Sequence, residues 1–372
     1  MSEARRHPVE DGRAWTRGRT AFALLVGAFL LGGGTVAASQ GPGGDPCAGV
    51  EPAVRSADQA LDRGQWADAE RLLQPLAASH ADCSGVVLGR ARLRMARGDP
   101  AEAEPLFARA TTLAPDDANA HALFAQYWLS RDQPARADYL SARALSLNPD
   151  CPEALVVRGR LLLLKGRPQE AREALENAAR LDPANAEAHY RLGIWLFRGK
   201  RHAEAAAHFE KVVAARPVDA LAHDYLALCR EALGEAERAE LAWRSALEVN
   251  ERPFFDPLLD YNFGRFLLRQ GRLEESQSHL DRAAARVPDR RGVHYERAKL
   301  KLARKEYQAA REDAERALGL PDPGGFVLDL QVHYLLATVY ARLGETELAR
   351  KYADLARTTP IPDQALDRAD RP

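Results

Sequence analysis

From residue 57 to residue 227 a small residue recurs every 34 positions, and each copy is followed twelve positions later by alanine. The pairs are Ala57/Ala69, Ala91/Ala103, Ala125/Ala137, Gly159/Ala171, Gly193/Ala205 and Ala227/Ala239. Gly264/Ser276, Ala298/Ala310 and Ala337/Ala349 continue the series after short insertions near Phe254-Phe255 and Gly325–Asp329. A unit of this size cannot bury its own apolar face, so the units must stack, and stability becomes a sum of nearest-neighbour interfaces. Small residues on two consecutive helices let their backbones approach closely. The large side chains Leu73, Phe107, Leu175, Phe209, Trp243 and Leu280 then fill the groove to a neighbouring helix.

Punctuation keeps the same register. Pro115, Pro149, Pro183, Pro217 and Pro288 end units, where proline stops a helix. Gly64, Gly98, Gly166, Gly234, Gly271 and Gly344 fall mid-unit, where glycine permits a left-handed turn residue. With this skeleton the chain resembles the tetratricopeptide repeat family, whose unit is a 34-residue helix–turn–helix. The fifth unit carries the pattern best, in Leu192-Gly193, Leu196, Ala205, Phe209 and Pro217. The resemblance spans residues 50–362, about nine units. It departs at Ser141, which stands where a large residue is usual, at Lys305 in place of a mid-unit Gly, and in unit one, which lacks its final Pro. It implies an all-α, right-handed superhelical solenoid whose first helices line a concave face where partners lie. No stretch with strand periodicity is long enough to propose a sheet, and 363–372 reads as a polar tail.

Residues 1–20 are polar and Arg-rich, and Ala21 to Ala38 carries no charge. A helix over 21–39 is just long enough to cross a hydrocarbon core of about 30 Å. Arg17 and Arg19 hold the N-terminus in the cytoplasm and send everything after the Gly/Pro linker at 40–49 outside. The expected reading is a single-pass anchor. The alternative is a signal peptide cleaved among the small residues Val36 to Ser39, which would release a soluble carrier. Only seven of the 52 basic residues are lysine, and alanine is abundant, a coding bias expected of a GC-rich bacterium. The expected location is therefore a bacterial inner membrane, with the solenoid facing the periplasm.

Formal net charge is −1, from 52 basic and 53 acidic residues. A nucleic-acid binder carries a basic excess, so none is expected. His121, His189, His223, His294 and His333 each lie four positions before a small residue. Equivalent side chains in adjacent units lie on the order of 10 Å apart, whereas a metal needs every ligand within about 2.1 Å. These histidines read as packing residues, and no metal or cofactor is expected. No hydrolase, zinc-protease or phosphate-loop motif occurs, and the repeats leave no segment near the ~100 residues of a catalytic domain. An enzyme whose accessory arm this chain forms is the remote alternative.

Two rows are expected to face the groove. Three positions before the small residue stand Tyr190, Tyr261, Tyr295 and Tyr334; one position after it stand Arg92, Gln126, Arg160, Arg265 and Lys299. Tyr and Arg are the types in which binding energy concentrates. Asn262 with Arg265 is the nearest approach to the family's Lys/Asn carboxylate clamp, whose full set is absent, so chaperone docking is disfavoured. Cys47 and Cys83 both precede a first helix in adjacent units, Cys47 on a pliable segment, and they can pair in an oxidising compartment. The expectation is a non-enzymatic scaffold or assembly factor that binds a protein or peptide segment in its groove.

Overall fold

The computed structural model describes residues 45–250, 255–322 and 327–360. The apolar stretch 21–39, the first part of the linker and the polar tail lie outside these residues. So do the chain segments where the two insertions enter. Among the described residues no helix is long and apolar enough to cross a membrane.

Among the described residues eighteen helices run in tandem and pair into nine hairpins, and there is no strand. The first four hairpins are α1 (Glu51–Asp62) with α2 (Trp66–Ser79), α3 (Ser84–Ala96) with α4 (Pro100–Leu113), α5 (Ala118–Ser130) with α6 (Pro134–Leu147), and α7 (Pro152–Leu164) with α8 (Pro168–Leu181). Next come α9 (Ala186–Arg198) with α10 (His202–Ala215) and α11 (Ala220–Ala232) with α12 (Ala236–Glu248). The last three are α13 (Leu259–Arg269) with α14 (Leu273–Arg286), α15 (Arg291–Ala303) with α16 (Tyr307–Gly319), and α17 (Asp329–Leu343) with α18 (Thr346–Thr358).

Local chemistry sets these boundaries. The unit-ending prolines each sit two residues past a second helix, as Pro115 does after Leu113 and Pro217 after Ala215. Two residues further on, Asp117, Asn185 and Asp219 cap the next first helix, each side chain accepting a backbone N–H of the first turn. All nine hairpins turn through one left-handed residue seven positions after the small one. Six of these are the mid-unit glycines; the other three are Asp132, Lys200 and Lys305, at φ 55°, 59° and 63°. In unit five the turn is made by Lys200 and not by its neighbour Gly199, whose φ is −79°. Each of these non-glycine turns costs roughly 1–2 kcal/mol, which the packing on either side sustains.

The recurring small residues are the hairpin contact itself. A Cβ built on Gly193 would lie 2.8 Å from the Phe209 ring, one on Gly159 2.8 Å from Leu175 Cγ, and one on Gly264 2.9 Å from Leu280 Cγ. Ser276 Oγ donates to the Gly264 carbonyl at 2.8 Å, so those two helices meet at backbone distance. The large residues opposite are buried, Phe209, Trp243 and Leu280 completely; each large apolar side chain contributes roughly 1.5–3 kcal/mol. Ser141 is buried too, its Oγ donating to the Asp138 carbonyl at 3.0 Å, while Phe124, Tyr127 and Trp128 on α5 of the same unit cluster with Phe107 of the preceding one. In the last unit Ala337 and Ala349 are only half-buried, because no further hairpin among the described residues covers them.

First helices of neighbouring units pack on one another in six places, α1 on α3, α5 on α7, α9 on α11, α11 on α13, α13 on α15 and α15 on α17. No two second helices pack comparably. The stack therefore bends toward its first helices, and they form the inner wall. Both insertions are tied down at their flanks. The Asn250 side chain exchanges hydrogen bonds with the Asp256 backbone (2.7 and 3.1 Å), and the buried Arg291 donates to the carbonyls of Leu318, Leu320 and Val327. At the other end the sulfurs of Cys47 and Cys83 are bonded, with Cα atoms 4.8 Å apart.

Candidate functional site: the inner wall

The candidate groove residues divide by what they touch. Tyr261, Arg265, Tyr295 and Lys299 lie together on α13 and α15. Arg265 sits over the Tyr261 ring at 6.0 Å and Lys299 over the Tyr295 ring at 5.3 Å. Tyr261 reaches across to the next unit, where a Cβ on Gly292 would lie 2.8 Å from its hydroxyl oxygen; only glycine leaves it that room. Burial raises both tyrosines' pKa values, and the Glu296 carboxylate adds to the rise, so both stay neutral hydrogen-bonding groups. Arg265 is anchored by Glu231 of the preceding unit at 2.9 Å, and Lys299 by Glu296 at 2.7 Å.

Elsewhere the basic residues join units. Arg92 bridges to Asp58 (2.6 Å) and Asp62 (2.5 Å) of unit one. Arg160 lies 4.0 Å from Glu187 of the next unit, which Arg191 (2.9 Å) and Arg216 (3.7 Å) also approach. Burial alone pushes the Glu187 carboxyl up; the three guanidinium groups and the Arg191 hydrogen bond overcome it and hold it at about 2. The neighbouring Asp219 goes the other way. Its burial outweighs the Ala222 N–H bond and Arg216, and pushes it up to about 6. Gln126 is half-buried on α5.

Three candidates belong to other surroundings. Tyr190 packs edge-on against Phe209 and Tyr225 at 6.0 and 6.1 Å. Asn262 is buried and donates to Asp224 Oδ2 at 2.7 Å. Tyr334 is 51% exposed and lies on the end face of the last unit, beside Ala337, Thr338 and Ala341.

Two arrangements escaped the sequence reading. The histidines are more than packing residues: Nε2 of His121, His189, His223 and His294 lies 2.8–3.0 Å from the carbonyl of the proline six residues earlier. Each ties the start of a first helix to the loop that precedes it, and the Pro-x5-His spacing was there to be read. The second is a buried acidic cluster where the 34-residue step first breaks. Asp224 accepts from Trp243 Nε1 and Asn262 Nδ2, both at 2.7 Å, beside the buried Asp256. Burial and the charge of Asp256 raise the Asp224 pKa well above the usual carboxylate range.

Among the described residues no group of three or more His, Cys, Asp or Glu side chains is placed to hold a metal. Cys151 and Cys229 are buried, and burial pushes their thiols up to about 11 and about 12, so both stay protonated.

The architecture is thus a stack of helical hairpins with an inner wall of first helices, the form of an α-solenoid. Models described as tetratricopeptide repeat match residues 60–127, 123–176, 165–220 and 261–326, more than half of the 372-residue chain. The chain belongs to the tetratricopeptide repeat family. No curated protein sequence matches it. Among solved structures it is similar to a chain in the crystal structure of the APC/C hetero-tetramer Cut9-Hcn1, at 17% identity and a TM-score of 0.57 over 82% of this chain. It spans 59% of that chain's length. It is also similar to the human IFIT1 dimer with PPP-AAAA, at 19% identity and a TM-score of 0.48, over 79% of this chain and 68% of that one. At 17% identity the likeness to the Cut9-Hcn1 chain is one of fold.

Proposed function

We propose that this protein is a non-enzymatic scaffold that holds a protein or peptide segment against its inner wall, on the outer side of a bacterial inner membrane. The observation that carries the reading is the patch of Tyr261, Arg265, Tyr295 and Lys299 on adjacent first helices. Two neutral phenols and two cations already held in place lose little rotamer freedom on binding, which favours affinity. They suit a segment that offers carboxylates and backbone carbonyls. The Cys47–Cys83 bond supports an oxidising compartment, and the charge-free run at Ala21–Ala38 supports an N-terminal anchor.

The test is crosslinking in native membranes followed by capture, comparing the parent with the double variant Tyr261→Ala/Tyr295→Ala and with Tyr139→Ala on the second helix α6. The expected result is loss of captured protein in the double variant alone. Equal capture by all three would end the assignment. Intact-mass measurement of the membrane fraction separates a retained anchor from cleavage near Ala38.

A further inference from the structure

Eight of the nine left-handed turn residues are exposed; Gly64, in the turn between α1 and α2, is half-buried. A Cβ built on Gly98, Gly166, Gly234, Gly271 or Gly344 would meet nothing within 4 Å. Built on Gly64, it would overlap a methyl of Val218 and lie 3.3 Å from Val218 Cβ. Val218 belongs to the loop between α10 and α11, far along the chain. It is unusual in its own series as well. The residue after the unit-ending proline is Asp116, Asp150, Ala184 and Asp289 in other units, every one exposed, whereas Val218 is half-buried. The one branched apolar residue in that series thus meets the one covered turn in the other.

The geometry follows from the curvature. Turns within hairpins lie along one edge of the stack and proline loops along the opposite edge. A stack that bends and rises as it goes can bring one edge over the other, and here the turn of unit one meets the loop that ends unit five.

We propose that the first hairpin latches onto the α10–α11 loop and closes the inner wall of units one to five into a ring. A bulky folded group reaches that stretch only when the latch opens, while a small molecule or an extended strand enters end-on. The inference goes beyond the scaffold reading, and the latch stands or falls without any partner.

The experiment uses the full chain with spin labels at the exposed positions Gln65 and Ala214, read by pulsed electron paramagnetic resonance. The expected result is one narrow, short-distance population that lengthens and broadens on Val218→Asp. Asp stands naturally at the matching place in three other units, so this variant keeps the fold, and unchanged helical circular dichroism verifies it. A wild-type distribution already broad and long, or a narrow one indifferent to Val218→Asp, would overturn the latch. A second arm places Gln126→Cys on the inner wall, with Cys151 and Cys229 buried. A maleimide carried on a folded protein should react at least tenfold more slowly, relative to N-ethylmaleimide, than it does after Val218→Asp. Equal relative rates in the two backgrounds would overturn the ring.

Discussion

Gly193→Ala and Gly89→Ala are the same chemical change in first helices and should act in opposite directions. Replacing a helical glycine by alanine gains about 0.5–1 kcal/mol from the unfolded state. At Gly89 the new methyl would meet only the tip of Leu73, at 3.1 and 3.3 Å, and a flexible leucine can yield. At Gly193 the three nearest atoms all belong to the Phe209 ring, at 2.8, 3.0 and 3.0 Å. That ring is fully buried, stacked on Tyr225 at 5.1 Å and met edge-on by Tyr190, so it has nowhere to go. Overpacking of this kind costs about 1–3 kcal/mol. The net expectation is a stability change between zero and +1 kcal/mol for Gly89→Ala and a loss of about 1–2 kcal/mol for Gly193→Ala. Urea unfolding followed by circular dichroism reads the difference. If both variants are stabilised equally, close approach of the hairpin helices is not the purpose of the small residue.

Three further outcomes are expected. Asp219→Asn keeps the helix cap, as Asn185 does in the preceding unit, and removes the titration. A folded pKa of about 6 against an ordinary 3.8 means that the stabilising effect of the protonated Asp219 is complete below pH 3.8 and lost as pH rises through 6. The variant should match wild type near pH 4 and exceed it above pH 7 by on the order of 3 kcal/mol, measured by unfolding across that range. Trp243→Phe leaves Asp224 Oδ1 without its donor and should cost about 1–3 kcal/mol by the same assay. Reducing the Cys47–Cys83 bond frees a loop of 36 residues and should destabilise the first hairpin by about 2–4 kcal/mol. Faster hydrogen exchange confined to α1 and α2 is the signature.

The repeat was legible because its signals are local and recur: a small residue, an alanine twelve on, a proline at the end. Two left-handed turns were hidden for the opposite reason. Asp132 and Lys200 have side chains that solvent accommodates, and only their place in the register marks them. The groove assignments show where a row of equivalent positions stops being informative. Asn262 is buried against Asp224 of α11, across the insertion where the 34-residue register has broken, and Arg92 is bound to two aspartates of unit one that no single-unit pattern contains. The Gly64–Val218 contact joins unit one to the loop that ends unit five, so it depends on the summed curvature between them, which no local spacing specifies.

The central claim, that the first helices form the working face, is tested most directly by placing a photoreactive phenylalanine at single positions in living cells. Inner-wall sites would be Gln126, Tyr261 and Tyr295; outer sites would be Tyr139 and Leu241, 74% and 67% exposed on second helices. The account predicts crosslinked partner bands from the inner sites and none from the outer ones. Bands arising from Tyr139 and Leu241 with the inner sites silent would contradict it.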